Sequence, residues 1–423
     1  MNQSLHIYNF IRTPFIRMGS SLASLSATDL GTAAVSALLH KSGVDPTRID
    51  EVIMGCVCQP VDSANIARVI ALRSGIPENV IASTVHRNCA SGMESITTAY
   101  ERMLAGKGDL FVVGGAESMS NAPLLYNPSA VKKFAQLSKS KSVMLKLRSL
   151  LKFRPKDFSP IVALQLGLTD PFTGINMGQT AEILARELSI SREQQDAFAA
   201  KSHLKAISSK ELLKEEIHPI YHQGKVISED NGIRTDSTPE KLATLRPVFE
   251  KTTGSVTAGN SSQISDGAAA LLVGSESAGK AMGLKPVAKI NAYAYAGCDP
   301  KRMGIGPLLA MEKLFRESDY SLERADVIEI NEAFAAQVLA CVKAANSEVL
   351  AKKIGLEKSL GEIPMEKLNR RGGAIALGHP VGATGARLVM TAINQLHQQD
   401  KQHALATLCV GGGQGAAIWI ERI

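Results

Sequence analysis

The stretch Thr84–Glu94 reads TVHRNCASGME, and the rest of the chain can be interpreted as support for its cysteine, Cys89. An apolar run precedes this cysteine, and an amphipathic segment, Ser95–Leu104, follows it. That order predicts a strand, a tight turn and a helix start, with Cys89 where backbone N–H groups and the helix dipole favour a thiolate. We therefore expect a lowered thiol pKa and a nucleophilic sulfur. The alternative is a small buried cysteine with no chemical role.

The composition is that of a globular protein with two or three domains in 423 residues. Its six cysteines are scattered, which argues against a disulfide framework. Cys56 and Cys58 have no second close pair that could complete a zinc site, so we expect no metal. The chain shows no apolar run of ~20 residues and no signal-peptide core, which predicts a cytoplasmic location.

The net charge of +7 comes from one segment. Between Ser118 and Lys156 there are nine Lys or Arg and no Asp or Glu, which indicates a local binding surface and argues against nucleic acid. Residues 129–156 also predict basic amphipathic helices. Three interpretations stay open: peripheral binding to an anionic membrane, docking of an acidic hydratase or dehydrogenase subunit, or a lid helix packed on its own domain.

Short apolar runs alternate with helical patterns, which predicts a layered α/β fold. Three segments of the second half echo segments of the first in the same order, which indicates a duplicated fold. The pairs are Asp50–Met54 with Asp326–Ile330, Asn88–Tyr100 with Pro380–Ile393, and Leu110–Gly115 with Ala404–Gly413. We expect one half in residues 1–120 and 254–280, an inserted loop domain in 121–253, and a second half in 281–423.

Four motifs carry the chemistry. They are NCASG around Cys89, NEAFAAQ at Asn331–Gln337, GHPVGATGAR at Gly378–Arg387 and CVGGGQG at Cys409–Gly415. In a duplicated α/β fold, turns at the carboxyl ends of equivalent strands meet at one crevice. We therefore expect two cysteines, one histidine and one asparagine to lie within reach of each other.

With these motifs in this order, the chain resembles the thiolases, a family of acetyl-CoA acetyltransferases and 3-ketoacyl-CoA thiolases that includes trifunctional-enzyme β subunits. The resemblance extends from about Arg12 to Trp419. It implies a five-layered αβαβα fold of two halves with a loop domain over the coenzyme A site. It also implies a homodimer or homotetramer, acyl-CoA and coenzyme A as substrates, and no tightly bound cofactor.

The chemistry and the resemblance assign the same roles to the motif residues. Cys89 carries the acyl group, because a thiolate is both a nucleophile and a leaving group. His379 takes its proton, and Cys409 is the second acid or base. By resemblance, a water held by Asn331 stabilises the enolate oxygen together with His379, and the N–H groups of Cys89 and Gly411 form the other oxyanion hole.

Coenzyme A contacts follow from the resemblance alone. Arg234, Met177 and Ser262 match positions that meet the nucleotide, pantetheine and amide regions. Two positions depart from the family pattern: Asn176 stands where a histidine is frequent, and Lys241 where a serine sometimes lies near the adenine.

The sequence therefore predicts thiolytic cleavage of 3-ketoacyl-CoA to acetyl-CoA and a shortened acyl-CoA, or the reverse Claisen condensation. A biosynthetic acetyltransferase that forms acetoacetyl-CoA is the alternative, and the acyl-chain length stays open. A non-catalytic docking subunit and a Cys–His thioester hydrolase fit the two cysteines less well. Ketoacyl synthases resemble this fold but have histidine in place of Cys409.

Overall fold

The computed structural model describes residues 3–423. The strands are β1 (Leu5–Arg12), β2 (Ile16–Arg17), β3 (Glu51–Gly55), β4 (Ile81–Val85), β5 (Leu110–Ser118), β6 (Leu124–Leu125), β7 (Ile161–Val162), β8 (Ile220–His222), β9 (Lys225–Ile227), β10 (Ser265–Gly274), β11 (Ala288–Gly297), β12 (Val327–Ile330), β13 (His403–Val410) and β14 (Gln414–Arg422).

The α-helices are α1 (Ala27–Ser42), α2 (Ile66–Arg73), α3 (Ser91–Leu104), α4 (Pro128–Lys139), α5 (Val143–Leu150), α6 (Ala163–Gly167), α7 (Met177–Glu187), α8 (Arg192–Ser208), α9 (Lys210–Lys214), α10 (Pro239–Ala243), α11 (Glu276–Ala281), α12 (Gly306–Arg316), α13 (Ala335–Ala345), α14 (Glu348–Lys353), α15 (Ala374–Leu377) and α16 (Val381–Gln398). Short 3-10 helices cover Pro46–Arg48, Met119–Asn121, Pro155–Phe158 and Pro300–Ile305.

The main sheet is built twice from the same pairings. Its order is β12-β13-β14-β11-β1-β10-β5-β3-β4, with β2 beside β10. In the first half, β1 and β10 are antiparallel, β10 and β5 are antiparallel, and β5 and β3 are parallel. β11, β14, β13 and β12 repeat these three pairings in the same sequence. The antiparallel contact of β1 with β11 joins the halves, so the predicted duplication is confirmed.

The three sequence echoes occupy equivalent positions in the two halves, namely β3 and β12, α3 and α16, and β5 and β13. Within the described residues, β4 has no strand of equal length as its counterpart. A single parallel bridge between Ile328 and Leu368 stands where that strand would lie.

Three hydrophobic cores lie between the two half-sheets and three layers of helices. The central core combines α3 and α16 with residues of both half-sheets, such as Val113 and Leu408. A second core buries α1 and α2 against the first half-sheet, and a third buries α12 and α13 against the second. The order helix, sheet, helices, sheet, helix is the predicted five-layered α/β architecture.

A separate compact unit comprises Ala122–Thr169. It contains α4, α5, α6 and the β6–β7 pair, and it is smaller than the expected region 121–253. Residues from position 170 onward belong to the larger unit, because α7 and α13 share a hydrophobic core that includes Leu184 and Ala340. Within residues 3–423, no helix is long and apolar enough to cross a membrane.

Two glycines allow the central helices α3 and α16 to approach closely. A Cβ atom on Gly92 would lie 2.8 Å from the backbone nitrogen of Ala386, and one on Gly385 would lie 2.5 Å from the backbone nitrogen of Met93. Such distances leave no room for a side chain, so both halves require glycine at this crossing.

We expect Gly385→Val to lower the free energy of unfolding by about 2–3 kcal/mol, because the added side chain overpacks the helix crossing. Gly297→Val is the matched control, since no heavy atom lies within 4 Å of its Cβ position. Urea unfolding followed by circular dichroism measures both variants. Equal stability of the two would contradict the tight crossing.

Candidate active site

The turn before α3 positions Cys89. Asn88 has a left-handed backbone with φ of 43°, a conformation that asparagine tolerates better than most residues. The backbone N–H of Arg87 donates to the Ser91 hydroxyl oxygen at 2.9 Å, and that hydroxyl donates to the Asn88 carbonyl at 2.7 Å. α3 begins at Ser91, so Cys89 lies at a helix N-terminus as the sequence predicts.

The nucleophile turn of the first half contacts the CVGGGQG turn of the second. Asn88 Nδ2 donates to the Gly411 carbonyl at 2.7 Å. The backbone N–H groups of Cys89 and Gly411 lie close enough to the Cys89 sulfur to lower the pKa of its thiol. The structure therefore brings the two expected oxyanion-hole donors together. Sequence reasoning did not single out Asn88, although an asparagine directly before a cysteine in a tight turn was the signal.

The pKa of Cys89 differs from the expectation. Burial raises the pKa of this thiol above its ordinary value and outweighs the two N–H groups, which lower it. The buried carboxyl of Glu117 raises it further. The resting sulfur is therefore a protonated thiol, and a nearby base must take its proton before it can attack.

His379 is held by the Gly-His-Pro turn. Gly378 has a φ of 104°, and a Cβ there would lie 2.3 Å from the Ser265 hydroxyl oxygen, so only glycine fits. The backbone N–H of His379 donates to the Gln263 carbonyl at 3.0 Å. Burial, with a contribution from the Arg387 charge, lowers the pKa of His379 to about 3. The imidazole is therefore neutral at physiological pH.

Asn331 lies beside His379. Its Nδ2 is 3.4 Å from His379 Nε2, and its backbone N–H donates to the Thr407 carbonyl at 3.0 Å. Asn331 is fully buried, and its Oδ1 has no hydrogen-bond partner in the structure. An orphaned buried oxygen at this point suits the binding of a polar group or a water.

Cys409 is the penultimate residue of β13, just before the glycine turn. Burial raises its pKa well above the ordinary value, and the neighbouring Cys89 thiol is the next largest cause. Cys341 and Cys298 raise it further. Of the two predicted reactive cysteines, Cys89 therefore lies close enough to Cys409 to raise the pKa of the Cys409 thiol.

Met177 and Ser262 lie next to two of the four motifs. The position that a Cβ on Gly411 would take is 3.2 Å from Met177 Sδ, and Met177 packs against the hydrophobic cluster that contains Cys409. The backbone N–H of Ser262 donates to the Ala333 carbonyl at 2.9 Å, inside the NEAF motif. Met177 therefore lies beside the glycine turn and Ser262 beside the NEAF motif, while their contacts with coenzyme A stay a prediction.

The other residues assigned to the coenzyme A side have peripheral or structural contacts. Arg234 is exposed, and its backbone N–H donates to His203 Nδ1 at 3.2 Å. Lys241 forms an exposed ion pair with Asp236. Asn176 caps α7 by accepting the backbone N–H of Gly178 at 3.0 Å, which gives this departure from the family pattern a structural role.

Glu117 connects the halves and was not found from the sequence. Its buried carboxylate accepts the backbone N–H groups of Cys58 at 2.8 Å and Gly382 at 2.9 Å. Burial raises its pKa to about 7. These bonds fix the loop after β3 to the start of α16. The contacts of the Cys56–Cys58 loop with Glu117 give this loop a structural role.

The comparisons with known proteins agree with this geometry. Residues 5–277 match the family model "Thiolase, N-terminal domain", and residues 284–422 match "Thiolase, C-terminal domain". The chain is 40% identical to the beta-ketoadipyl-CoA thiolase of Pseudomonas aeruginosa, with 100% of each chain covered. It is 38% identical to the mitochondrial trifunctional enzyme subunit beta of Bos taurus, over 99% of this chain and 88% of that protein.

A solved structure leads to the same family. Human mitochondrial 3-ketoacyl-CoA thiolase in complex with CoA superposes with a TM-score of 0.85 at 34% sequence identity, over 100% of this chain and 98% of that one. The chain belongs to the thiolase family. It is an acyltransferase for which coenzyme A and its thioesters are substrates.

We expect the alkylation of Cys89 by iodoacetamide to speed up with rising pH beyond the ordinary thiol pKa of 9.0, because burial raises the pKa. A raised pKa means that the protonated form persists to higher pH. Mass spectrometry of the Cys89 peptide measures this rate, and the alkylation rate of free cysteine at each pH is the reference. A plateau below about pH 8 would contradict the raised pKa.

Proposed function

We propose that the chain is a degradative thiolase that cleaves 3-ketoacyl-CoA with coenzyme A through an acyl-enzyme on Cys89. The observation that carries this proposal is the contact between the Cys89 turn of the first half and the glycine turn of the second, where Asn88 Nδ2 donates to the Gly411 carbonyl at 2.7 Å. This contact brings the N–H groups of Cys89 and Gly411 near the Cys89 sulfur, where both lower the pKa of its thiol. Donors in this position would meet the oxygen of a thioester formed on that sulfur. Cys89 is half-buried and Cys409 is buried, which limits the access of bulk water to such a thioester.

The first half-reaction breaks the carbon–carbon bond. His379 Nε2 takes the Cys89 proton, and the thiolate attacks the keto carbon C3 of the substrate. The oxyanion forms at the N–H groups of Cys89 and Gly411. As it collapses, the C2–C3 bond breaks and its electron pair passes to the enolate of acetyl-CoA. A water held by Asn331, together with His379, stabilises the enolate oxygen, and Cys409 donates a proton to C2.

The second half-reaction transfers the acyl group. The Cys409 thiolate first regains a proton from protonated His379, and His379 Nε2 then takes the proton of an incoming coenzyme A thiol. The sulfur of that thiol attacks the thioester on Cys89. The shortened acyl-CoA leaves, and His379 returns its proton to the Cys89 thiolate. Both cysteines and the histidine then regain their resting forms, so the cycle is closed without a metal or a redox cofactor.

Coenzyme A is held, in this proposal, by Met177 along the pantetheine, Ser262 at its amides and Arg234 at the nucleotide. Arg234 is exposed and positively charged, which suits the phosphates of that end. The functional division of the chain is a first half in 1–120 and 254–280, a region covering coenzyme A in 121–253, and a second half in 281–423.

The degradative direction is supported by the similarity to a trifunctional enzyme subunit beta and by the basic segment. Within this proposal the substrates are 3-ketoacyl-CoA intermediates of fatty-acid β-oxidation in the cytoplasm. A hydratase or dehydrogenase subunit would supply them, because hydration and oxidation of an enoyl-CoA form the 3-keto group.

The free edge of β4 supports self-association. β4 ends the sheet beyond β3, and Ile81 on it is 60% exposed. An uncovered edge strand offers unpaired backbone groups to another strand. We assign this edge to a second copy of the chain, which gives a homodimer, or two dimers in a homotetramer.

The Cys409→Ser variant should still accept an acyl group on Cys89 but lose the carbon–carbon step. The proton transfer that it removes contributes about a hundredfold to ten-thousandfold to such a rate. Exchange of labelled coenzyme A with acyl-CoA reports the first activity, and acetyl-CoA release from 3-ketoacyl-CoA reports the second. Cys89→Ser is the control that should lose both. If Cys409→Ser lost the exchange reaction as completely as Cys89→Ser, the division of roles would be wrong.

Helix α5 and its flanks present an apolar and basic surface. Val143 is 85% exposed, and Leu151 is 79% exposed. Lys146, Arg148 and Lys152 lie exposed among them. The acidic residue that follows the basic segment, Asp157, is already paired with Lys133 at 2.6 Å, so it does not offset these charges. This surface suits an anionic membrane, to which each basic residue adds about 1 kcal/mol.

We expect the protein to float with anionic vesicles and not with neutral ones, and to lose this binding at high salt. A variant with Lys146, Arg148 and Lys152 changed to Glu should fail to bind. The matched control changes three other exposed lysines, Lys107, Lys225 and Lys358, to Glu. No binding of the unmodified protein at low ionic strength would contradict the membrane proposal and leave the acidic-partner and lid-helix interpretations.

A further inference from the structure

We propose that Thr384 is a positioning residue that keeps His379 in the tautomer needed for catalysis. Its hydroxyl oxygen accepts a hydrogen bond from the Nδ1–H group of His379, which leaves Nε2 unprotonated. This inference rests on the proposed function, in which Nε2 accepts the proton of Cys89.

The first argument counts protons at the hydroxyl group. Thr384 Oγ1 lies 2.7 Å from His379 Nδ1 and 2.9 Å from the carbonyl oxygen of Pro380. A threonine in a helix commonly donates its hydroxyl proton to the carbonyl one turn earlier. The hydroxyl has only one proton. Its oxygen is therefore the acceptor toward the imidazole, and Nδ1 carries the hydrogen.

The second argument comes from the opposite side of the ring. His379 Nε2 lies 3.4 Å from Asn331 Nδ2, and an amide nitrogen only donates. Nε2 is therefore the acceptor in that contact. The Nε2–H tautomer would require the Thr384 hydroxyl to donate to Nδ1 instead of Pro380. It would also require the Asn331 amide to flip so that its oxygen accepts from Nε2.

The position of Thr384 fixes its hydroxyl group relative to the imidazole of His379. Thr384 is fully buried in the first turn of α16, and His379 lies five positions earlier. The same turn thus supplies the Pro380 carbonyl, the hydroxyl and the imidazole. In serine proteases, loss of the carboxylate that fixes the histidine tautomer lowers kcat about ten-thousandfold. A neutral hydroxyl gives a weaker bond, so we expect a smaller effect here.

The direct test is the tautomer itself. Enzyme labelled with ¹⁵N-histidine gives ¹H–¹⁵N correlation spectra that distinguish Nδ1–H from Nε2–H, and His379→Asn identifies the His379 signals. We expect Nδ1–H in the unmodified enzyme and in Thr384→Ser, which keeps the acceptor. Thr384→Val keeps the shape but loses the acceptor, and it should populate Nε2–H. Neutral His379 protonated at Nε2 in the unmodified enzyme would overturn the proposal.

Kinetics supply the second readout. Thr384→Val should slow the acylation of Cys89 by about tenfold to a hundredfold with little change in KM, and Thr384→Ser should restore most of the rate. A slow Thr384→Val enzyme whose His379 keeps the Nδ1–H tautomer would also overturn the proposal. Failure of the proposed function gives a different result. If His379→Ala acylates Cys89 as fast as the unmodified enzyme does, then His379 is not the base, whichever tautomer it has.

Discussion

The close crossing of α3 and α16 is the constraint on which the site depends. Cys89 lies just before the first helix and His379 just before the second, so the separation of the helices sets the separation of their reactive side chains. Gly92 and Gly385 permit this approach. A Cβ on Gly115 of β5 would likewise lie 1.9 Å from the Gly382 carbonyl. Two copies of one α/β unit thus form a single crevice because small residues occupy the contact between them.

Burial then determines the protonation states in this crevice. It raises the pKa values of Cys89 and Cys409 and lowers that of His379, so the resting site is free of charge on these three groups. Charges arise only as the reaction proceeds. Preorganised donors stabilise such charges most effectively where burial keeps the effective dielectric constant low. The N–H groups of Cys89 and Gly411 and the buried side chain of Asn331 are the donors placed for this purpose in the proposed mechanism.

Much of the fold could be predicted from sequence because its signals are local. The alternating runs and the three echoes predicted β3 with β12, α3 with α16 and β5 with β13, and sheet topology predicted that their turns converge. The bond from Asn88 to Gly411 and the contact of Thr384 with His379 depend on side-chain distances that no spacing reveals. The raised pKa of Cys89 depends on desolvation, which is a tertiary property. The extent of the unit 122–169 likewise depends on which residues share a core.

A crystal structure of the enzyme with an acyl group on Cys89 tests the central claim most directly. The measured quantities are the distances from the thioester carbonyl oxygen to the backbone nitrogens of Cys89 and Gly411. We predict that both are about 2.7–3.1 Å, because the donors that face the resting sulfur would then hold the oxygen. An acyl group on another residue, or a carbonyl oxygen directed away from both nitrogens, would contradict an active site shared by the two halves.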